Sequence, residues 1–177
     1  MTDGREIHGV TARLSSDARS LASDARSLSA LIAGDAIRVG VVAADWRAAV
    51  RSCGDALVAS GATEPAYTDE MIAVVERLGP YLVLAPGIAL AHARPSPAVH
   101  RAGMSVVTLA SPVEFGHPAN DPVRLVVGLA ALDDEGHLEG LATIAEFLAD
   151  PGRRAALLAA PDADAVRHLL TTYEEGR

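Results

Sequence analysis

The stretch Ile88-Ala89-Leu90-Ala91-His92-Ala93-Arg94-Pro95 decides the fold class of this chain. It is an apolar run that ends at a histidine and is followed by an arginine and a proline. A short apolar run bounded by turn residues is typical of a buried strand, and α/β proteins commonly place their sites at strand ends. We therefore expect the ring of His92 at the rim of a sheet, with the Arg94 guanidinium beside it to help hold an anion.

The rest of the chain predicts alternating strands and helices. Similar apolar runs predict further strands, the last two of them central in the sheet, at Ile37–Val42, Tyr81–Leu84, Met104–Leu109 and Leu125–Leu132. Helical spacing predicts helices at 45–60, 68–78 and 137–149, and two more from Pro151 and from Asp162 onward. We predict an α/β fold, a three-layer α/β/α sandwich with a mixed central sheet flanked by helices.

Residues 1–34 differ from the remainder and predict an N-terminal helical extension to a domain at 35–177. The six residues SDARSL occur at Ser16–Leu21 and again at Ser23–Leu28. This spacing places Leu14, Leu21 and Leu28 on one side of a helix. The leucines could dock on the domain or pair with a second copy, so a homodimer is one of two open alternatives.

The composition excludes several classes of function. The net charge of −8 argues against nucleic-acid binding and favours a basic protein partner. The chain has one cysteine, predicted to be buried, and no lysine, so neither a disulfide, a P-loop nor Schiff-base chemistry is expected. No apolar run is long enough to cross a bilayer, and the N-terminus lacks a signal-peptide pattern. We expect a cytoplasmic protein with no cofactor and no direct membrane insertion.

Two further histidines are candidate site residues. His137 follows the strand at 125–132 and is predicted to begin a helix, where backbone amides and the helix dipole favour an anion. His117 lies on a long loop that could approach either His92 or His137. Each of the three has a simpler interpretation as a rim, capping or solvent-exposed histidine. Their spacing does not support a zinc site, so we predict no metal.

Two long segments carry a resemblance to a known family. They are GPYLVLAPGIALAHARP at 79–95 and GMSVVTLASPVEFGHPANDPVRLVVGLAALDDEGHLEGLATIAEFL at 103–148. Both resemble the IIA components of sugar phosphotransferase systems, in the mannitol/fructose (type 2) superfamily and closest to its ascorbate-type branch. The resemblance implies a mixed sheet covered by helices on both faces.

The same resemblance implies protein-histidine phosphotransfer. It implies that His92 accepts a phosphoryl group from the histidine of the small carrier HPr. The group then passes to a cysteine of a IIB partner, which acts with a IIC component in sugar uptake. His137 matches the second histidine of the family, which supports the phosphoryl site. Ascorbate as the sugar is suggested by the resemblance alone.

One position departs from the family pattern. Ala91 stands where proline usually precedes the phosphorylated histidine, and a proline would pre-set one backbone torsion there. The substitution leaves the nucleophile of His92 in place, so we expect transfer to be retained. The alternative is a regulatory protein-binding module of the same fold with weak or no phosphotransfer.

Overall fold

The computed structural model describes residues 27–177, and their strands form one mixed sheet. The strands are β1 Ile37–Val41, β2 Val83–Ala85, β3 Ile88–His92, β4 Gly103–Val113 and β5 Val123–Ala130. Their order across the sheet is β1-β4-β5-β3-β2. Strands β1 and β4, and β3 and β5, pair in parallel, whereas β4 and β5, and β2 and β3, are antiparallel. The predicted central position of the last two strands is confirmed.

Helices cover both faces of this sheet. They are α1 Leu28–Leu31, α2 Trp46–Ala59, α3 Pro65–Leu78, α4 Asp134–Ala149, α5 Pro151–Ala159 and α6 Ala163–Glu175. Buried residues of α2 and α3 share one apolar core, and those of α1, α4, α5 and α6 share another. The predicted three-layer α/β/α sandwich is confirmed.

Period-two alternation along β3 assigns each of its side chains to one core. Ala89 and Ala91 belong to the core under α2 and α3. Ile88 and Leu90 belong to the core under α4. His92 has the same parity as Ile88 and Leu90, so its side chain leaves the sheet on the α4 side.

The strand pairing brings the start of α4 to the end of β3. Strands β3 and β5 run parallel, with His92 in register with Leu129. Their C-terminal ends therefore meet at one edge of the sheet. Helix α4 begins at Asp134, soon after β5 ends, so its first turns lie beside His92.

The structure corrects three predicted boundaries. Helix α3 begins at Pro65 instead of Thr68, because Pro65 occupies the first turn and Thr68 is buried within the helix. Helix α4 begins at Asp134 and is capped by the Asp133 carboxylate, so His137 lies about one turn inside it. Strand β2 covers Val83–Ala85 instead of the predicted Tyr81–Leu84, and Leu84 within it is exposed.

The described end of the predicted N-terminal extension packs on the rest of the chain. Leu28 and Ile32 are buried in the core that α6 also lines. The Glu174 carboxylate of α6 accepts hydrogen bonds from the backbone N–H and the hydroxyl of Ser29. Leu14 and Leu21, on which the predicted helical stripe depends, lie outside the described residues.

Candidate functional site

His92 is the last residue of β3, and a hydrogen bond to the backbone holds one of its ring nitrogens. Its Nδ1 lies 2.8 Å from the carbonyl oxygen of Leu90. Because a carbonyl only accepts hydrogen bonds, Nδ1 carries the proton of the neutral ring and donates it to Leu90. The lone pair of the neutral imidazole is therefore on Nε2. The ring is half-buried, so the backbone orients it while part of it stays accessible.

His137 of α4 faces His92 across the rim of the sheet. The two ring centroids are 5.0 Å apart and the ring planes are tilted by 51°. Burial lowers the pKa of His137, and positive charge on His92 lowers it further, while the Asp134 carboxylate acts in the opposite direction. His137 is thus held as a neutral ring beside an unmodified His92.

The hydrogen bonding of His137 indicates its tautomer. Its Nδ1 is buried, and no residue in the described part of the chain hydrogen-bonds to it. A buried N–H without an acceptor is rarer than an unsatisfied acceptor, so we assign the proton of the neutral ring to Nε2. In this tautomer the ring can donate a hydrogen bond through Nε2 to an anion.

The two histidines line a cleft of about 240 Å³ at the rim of the sheet. The other lining residues are Val74, Arg77, Leu78, Tyr81, Ala93 and Arg94. The ring of Tyr81 meets that of His92 edge-on, with centroids 5.7 Å apart and an interplanar angle of 79°. Two arginines line this cleft together with the imidazole of His92, and this combination favours an oxyanion as the group that binds there.

The described residues offer neither a metal site nor a membrane-spanning helix. Among residues 27–177, no three His, Cys, Asp or Glu side chains come together as a metal ion would require. Within the same residues, no helix is long and apolar enough to cross a membrane.

Comparison with known families identifies the chain. Residues 30–173 match the model of the family described as phosphoenolpyruvate-dependent sugar phosphotransferase system, EIIA 2. The chain belongs to this family. It is therefore an EIIA component of a phosphotransferase system, the class of protein that transfers phosphoryl groups within such systems.

Individual relatives agree with this assignment. The ascorbate-specific EIIA component of Salmonella choleraesuis (strain SC-B67) is 40% identical over 121 residues, 68% of this chain and 79% of the relative. That of Escherichia coli (strain K12) is 42% identical over 115 residues, 64% and 75% of the two chains. The structure of this chain is also similar to one in the solved complex of enzyme IIA for mannitol with phosphorylated enzyme IIB from Escherichia coli, with 29% sequence identity and a TM-score of 0.70. The match covers 79% of this chain and 96% of that one.

The structure does not bring His117 of this EIIA domain to His92. The loop that carries His117 joins β4 to β5 at the opposite edge of the sheet, where Gly87 donates a hydrogen bond to Asn120. Strand β3 separates the two edges by about 13 Å, at about 3.3 Å per residue. The His117 Nδ1 accepts the backbone N–H groups of Ala119 and Asn120, so its observed contacts hold the loop.

Three EIIA residues near His92 were missed by the sequence reasoning. Arg77 and Tyr81 line the cleft, and the hydroxyl of Tyr67 hydrogen-bonds the backbone next to His92. Helix α3 ends at Leu78 and leads directly into β2, which pairs antiparallel with β3. A hairpin prediction at Pro86-Gly87 would have placed Tyr81 opposite the end of β3. Arg94, predicted from sequence, is exposed and lines the cleft.

Proposed function

We propose that this EIIA domain carries a phosphoryl group on Nε2 of His92, received from phospho-HPr and passed to a cysteine of a IIB partner. The observation that carries the proposal is the hydrogen bond from Nδ1 of His92 to the Leu90 carbonyl. That bond commits the ring proton to Nδ1, so the lone pair of Nε2 is available to attack phosphorus.

In the first step the phosphoryl group moves between two imidazole rings. The Nε2 lone pair of His92 forms an N–P bond as the N–P bond of the donor histidine breaks. Each ring keeps the proton on its other nitrogen, so no water is consumed and no proton is released. In the second step a thiolate of IIB attacks phosphorus, an S–P bond forms, and His92 is released with Nε2 unsubstituted.

His137 and the two arginines would stabilise the group in transit. The neutral His137 ring donates from Nε2 to a phosphoryl oxygen, and it becomes a stronger donor once the added negative charge favours its protonation. Arg77 and Arg94 line the same cleft and supply positive charge to the remaining oxygens. His117 has no part in this proposal, since its loop lies at the other edge of the sheet.

The surface around the cleft suits docking of protein partners. Leu78, Leu132 and Leu138 are 59%, 58% and 66% exposed, and each lies close in sequence or space to the two histidines. Exposed apolar side chains around a reactive group are typical of a surface that a protein covers during transfer. The chain's net charge of −8 complements a carrier with a basic surface.

The finer assignments rest on the named relatives. The Escherichia coli mannitol complex pairs a IIA domain with phosphorylated IIB, which supports IIB as the acceptor here. The ascorbate-specific relatives support ascorbate, taken up through a IIC component, as the sugar of the system.

We place the protein in the cytoplasm, where HPr would meet it. We also set the end of the N-terminal extension at residue 34. A homodimer through residues 14–28 stays a prediction.

Labelling with radioactive phosphoenolpyruvate tests the proposal. With enzyme I and HPr present, the wild type and the control His100→Ala should become labelled, and His92→Ala should not. His100 is a suitable control because it is an exposed histidine paired with Glu64 outside the cleft. Added IIB should then remove the label onto its cysteine. A wild-type protein that stays unlabelled but binds a partner tightly would contradict transfer and favour the regulatory alternative.

A further inference from the structure

We infer that Tyr67 is a positioning residue that holds the backbone beyond His92 and so aims Nε2 into the cleft; this inference rests on the proposed function of His92. Tyr67 lies in the first turn of α3 and is completely buried. Its hydroxyl accepts the N–H of Ala93 at 3.0 Å. The same oxygen lies 2.8 Å from the carbonyl of Leu129 and 3.1 Å from that of Ala93.

The hydrogen-bonding capacity of the hydroxyl shows what it connects. A phenol has one proton to donate, and the shorter contact assigns most of that donation to Leu129. The hydroxyl therefore bridges the Ala93 N–H and the Leu129 carbonyl. Burial raises the pKa of Tyr67 to about 12, so this proton stays in place at neutral pH. The bridge ties the first residue after β3 to the residue of β5 in register with His92.

The Tyr67 bridge matters because the hydrogen bond that holds the His92 ring comes from Leu90, a residue of the same strand. On the N-terminal side, the Leu90 carbonyl holds Nδ1, while Ala91 leaves the preceding torsion without the restraint of a proline ring. On the C-terminal side, the chain leaves the sheet at Ala93 and runs into the exposed Arg94. Tyr67 holds the backbone N–H of Ala93 and ties it to the carbonyl of Leu129, so the nucleophile is held before its partner arrives.

The matched test compares Tyr67→Phe with Tyr173→Phe. Both variants lose only a phenolic hydroxyl. That of Tyr173 is buried on α6, in the other core, with no hydrogen-bond partner within residues 27–177. In single-turnover transfer from saturating phospho-HPr, Tyr67→Phe should be slowed about tenfold, the size expected when a reacting group is slightly misplaced. Tyr173→Phe should stay within about twofold of the wild type.

A spectroscopic measurement separates positioning from general destabilisation. The ¹⁵N shifts of His92 should report a single Nδ1–H tautomer in the wild type and in Tyr173→Phe, and a mixture in Tyr67→Phe. If folded Tyr67→Phe transfers at the wild-type rate and keeps one tautomer, the inference is overturned. If the wild type itself takes no label, the proposed function fails, and the tautomer still decides the role of Tyr67.

A third measurement needs no variant, should Tyr67→Phe not fold. The amide of Ala93 lies outside any strand, yet its bond to Tyr67 should slow hydrogen exchange to the level of Val127 in central β5. Exchange of Ala93 as fast as that of exposed Arg94 would overturn the inference.

Discussion

Phosphorylation of His92 should raise the pKa of His137, and the structure sets the size of the change. The two ring centroids are 5.0 Å apart. At about 5 Å, and with an effective dielectric constant of about 20, one unit of negative charge stabilises a protonated imidazole by roughly 3 kcal/mol. One pH unit corresponds to about 1.4 kcal/mol, so the pKa of His137 should rise by about 2.

The sign of this change follows from the two states. In the free protein, burial and the neighbouring His92 hold the pKa of His137 below its ordinary value. In the phosphoprotein, the added negative charge favours the protonated ring and raises the pKa of His137. Between the two pKa values, phosphorylation takes up one proton at His137. The phosphoprotein is therefore stabilised relative to the free protein as the pH falls through this window.

Long-range ¹H–¹⁵N spectra recorded from about pH 5 to about pH 8 can follow the ring of His137 in both forms. His168 on α6 is the internal control, because α6 contributes no residue to the lining of the cleft and the ring signals of His168 should not change on phosphorylation. Raised salt should reduce the change at His137, since part of the interaction passes through solvent. Equal behaviour of His137 and His168 would refute the placement of the phosphoryl group beside α4.

Two further predictions concern packing and the loop at the far edge of the sheet. Gly54→Ala should destabilise the protein by about 1–2 kcal/mol despite its better helix propensity, because the new Cβ would overlap the side chain of Thr68. Thr68→Ala in the same chain should restore only part of this stability, because the Thr68 Cβ would itself lie 2.6 Å from the new atom. Chemical denaturation measures both variants. Asp121→Asn should cost about 1–2 kcal/mol at neutral pH, since the carboxylate accepts three backbone N–H groups.

The pH dependence of Asp121 has a definite sign. Burial would raise its pKa, but the backbone N–H groups of Phe115, His117 and Gly116 outweigh that effect and lower it. The stabilisation is therefore present above the unfolded pKa of about 4 and is lost as the pH falls through the folded pKa. The difference between Asp121→Asn and the wild type should vanish in acid. If the stability difference between Asp121→Asn and the wild type stayed constant down to about pH 2, the role of the carboxylate would be contradicted. For the packing prediction, the contradicting result is a Gly54→Ala protein that is as stable as the wild type.

Local patterns in the chain were sufficient to predict the fold class and the position of His92 at the end of its strand. The role of His92 as the nucleophile was implied by the family resemblance and stays a prediction. Asp45, Asp150 and Asp162 cap helices that begin close to the predicted positions, and such capping depends only on neighbours a few residues away. His92 ends its strand as predicted, and the parity of β3 directs it toward the helix that carries His137. These features depend on periodicity and on residue type, both of which can be read from a sequence.

The features that sequence reasoning missed depend on tertiary pairing. The placement of His117 follows from the antiparallel pairing of β4 with β5, and no local pattern specifies which strands pair. The partners of the Tyr67 hydroxyl are backbone atoms 26 and 62 residues away, so nothing near Tyr67 marks it as special. Helix α3 begins earlier than predicted because Pro65 favours the first turn of a helix.

The central claim is that Nε2 of His92 is the atom that carries the phosphoryl group. Combined ³¹P and ¹⁵N NMR of the phosphoprotein, with ¹⁵N in the histidine rings, tests it directly. The phosphorus should couple to Nε2 of His92, and Nδ1 should keep its hydrogen bond to the Leu90 carbonyl. Coupling to Nδ1, or to any nitrogen of His137, would contradict it.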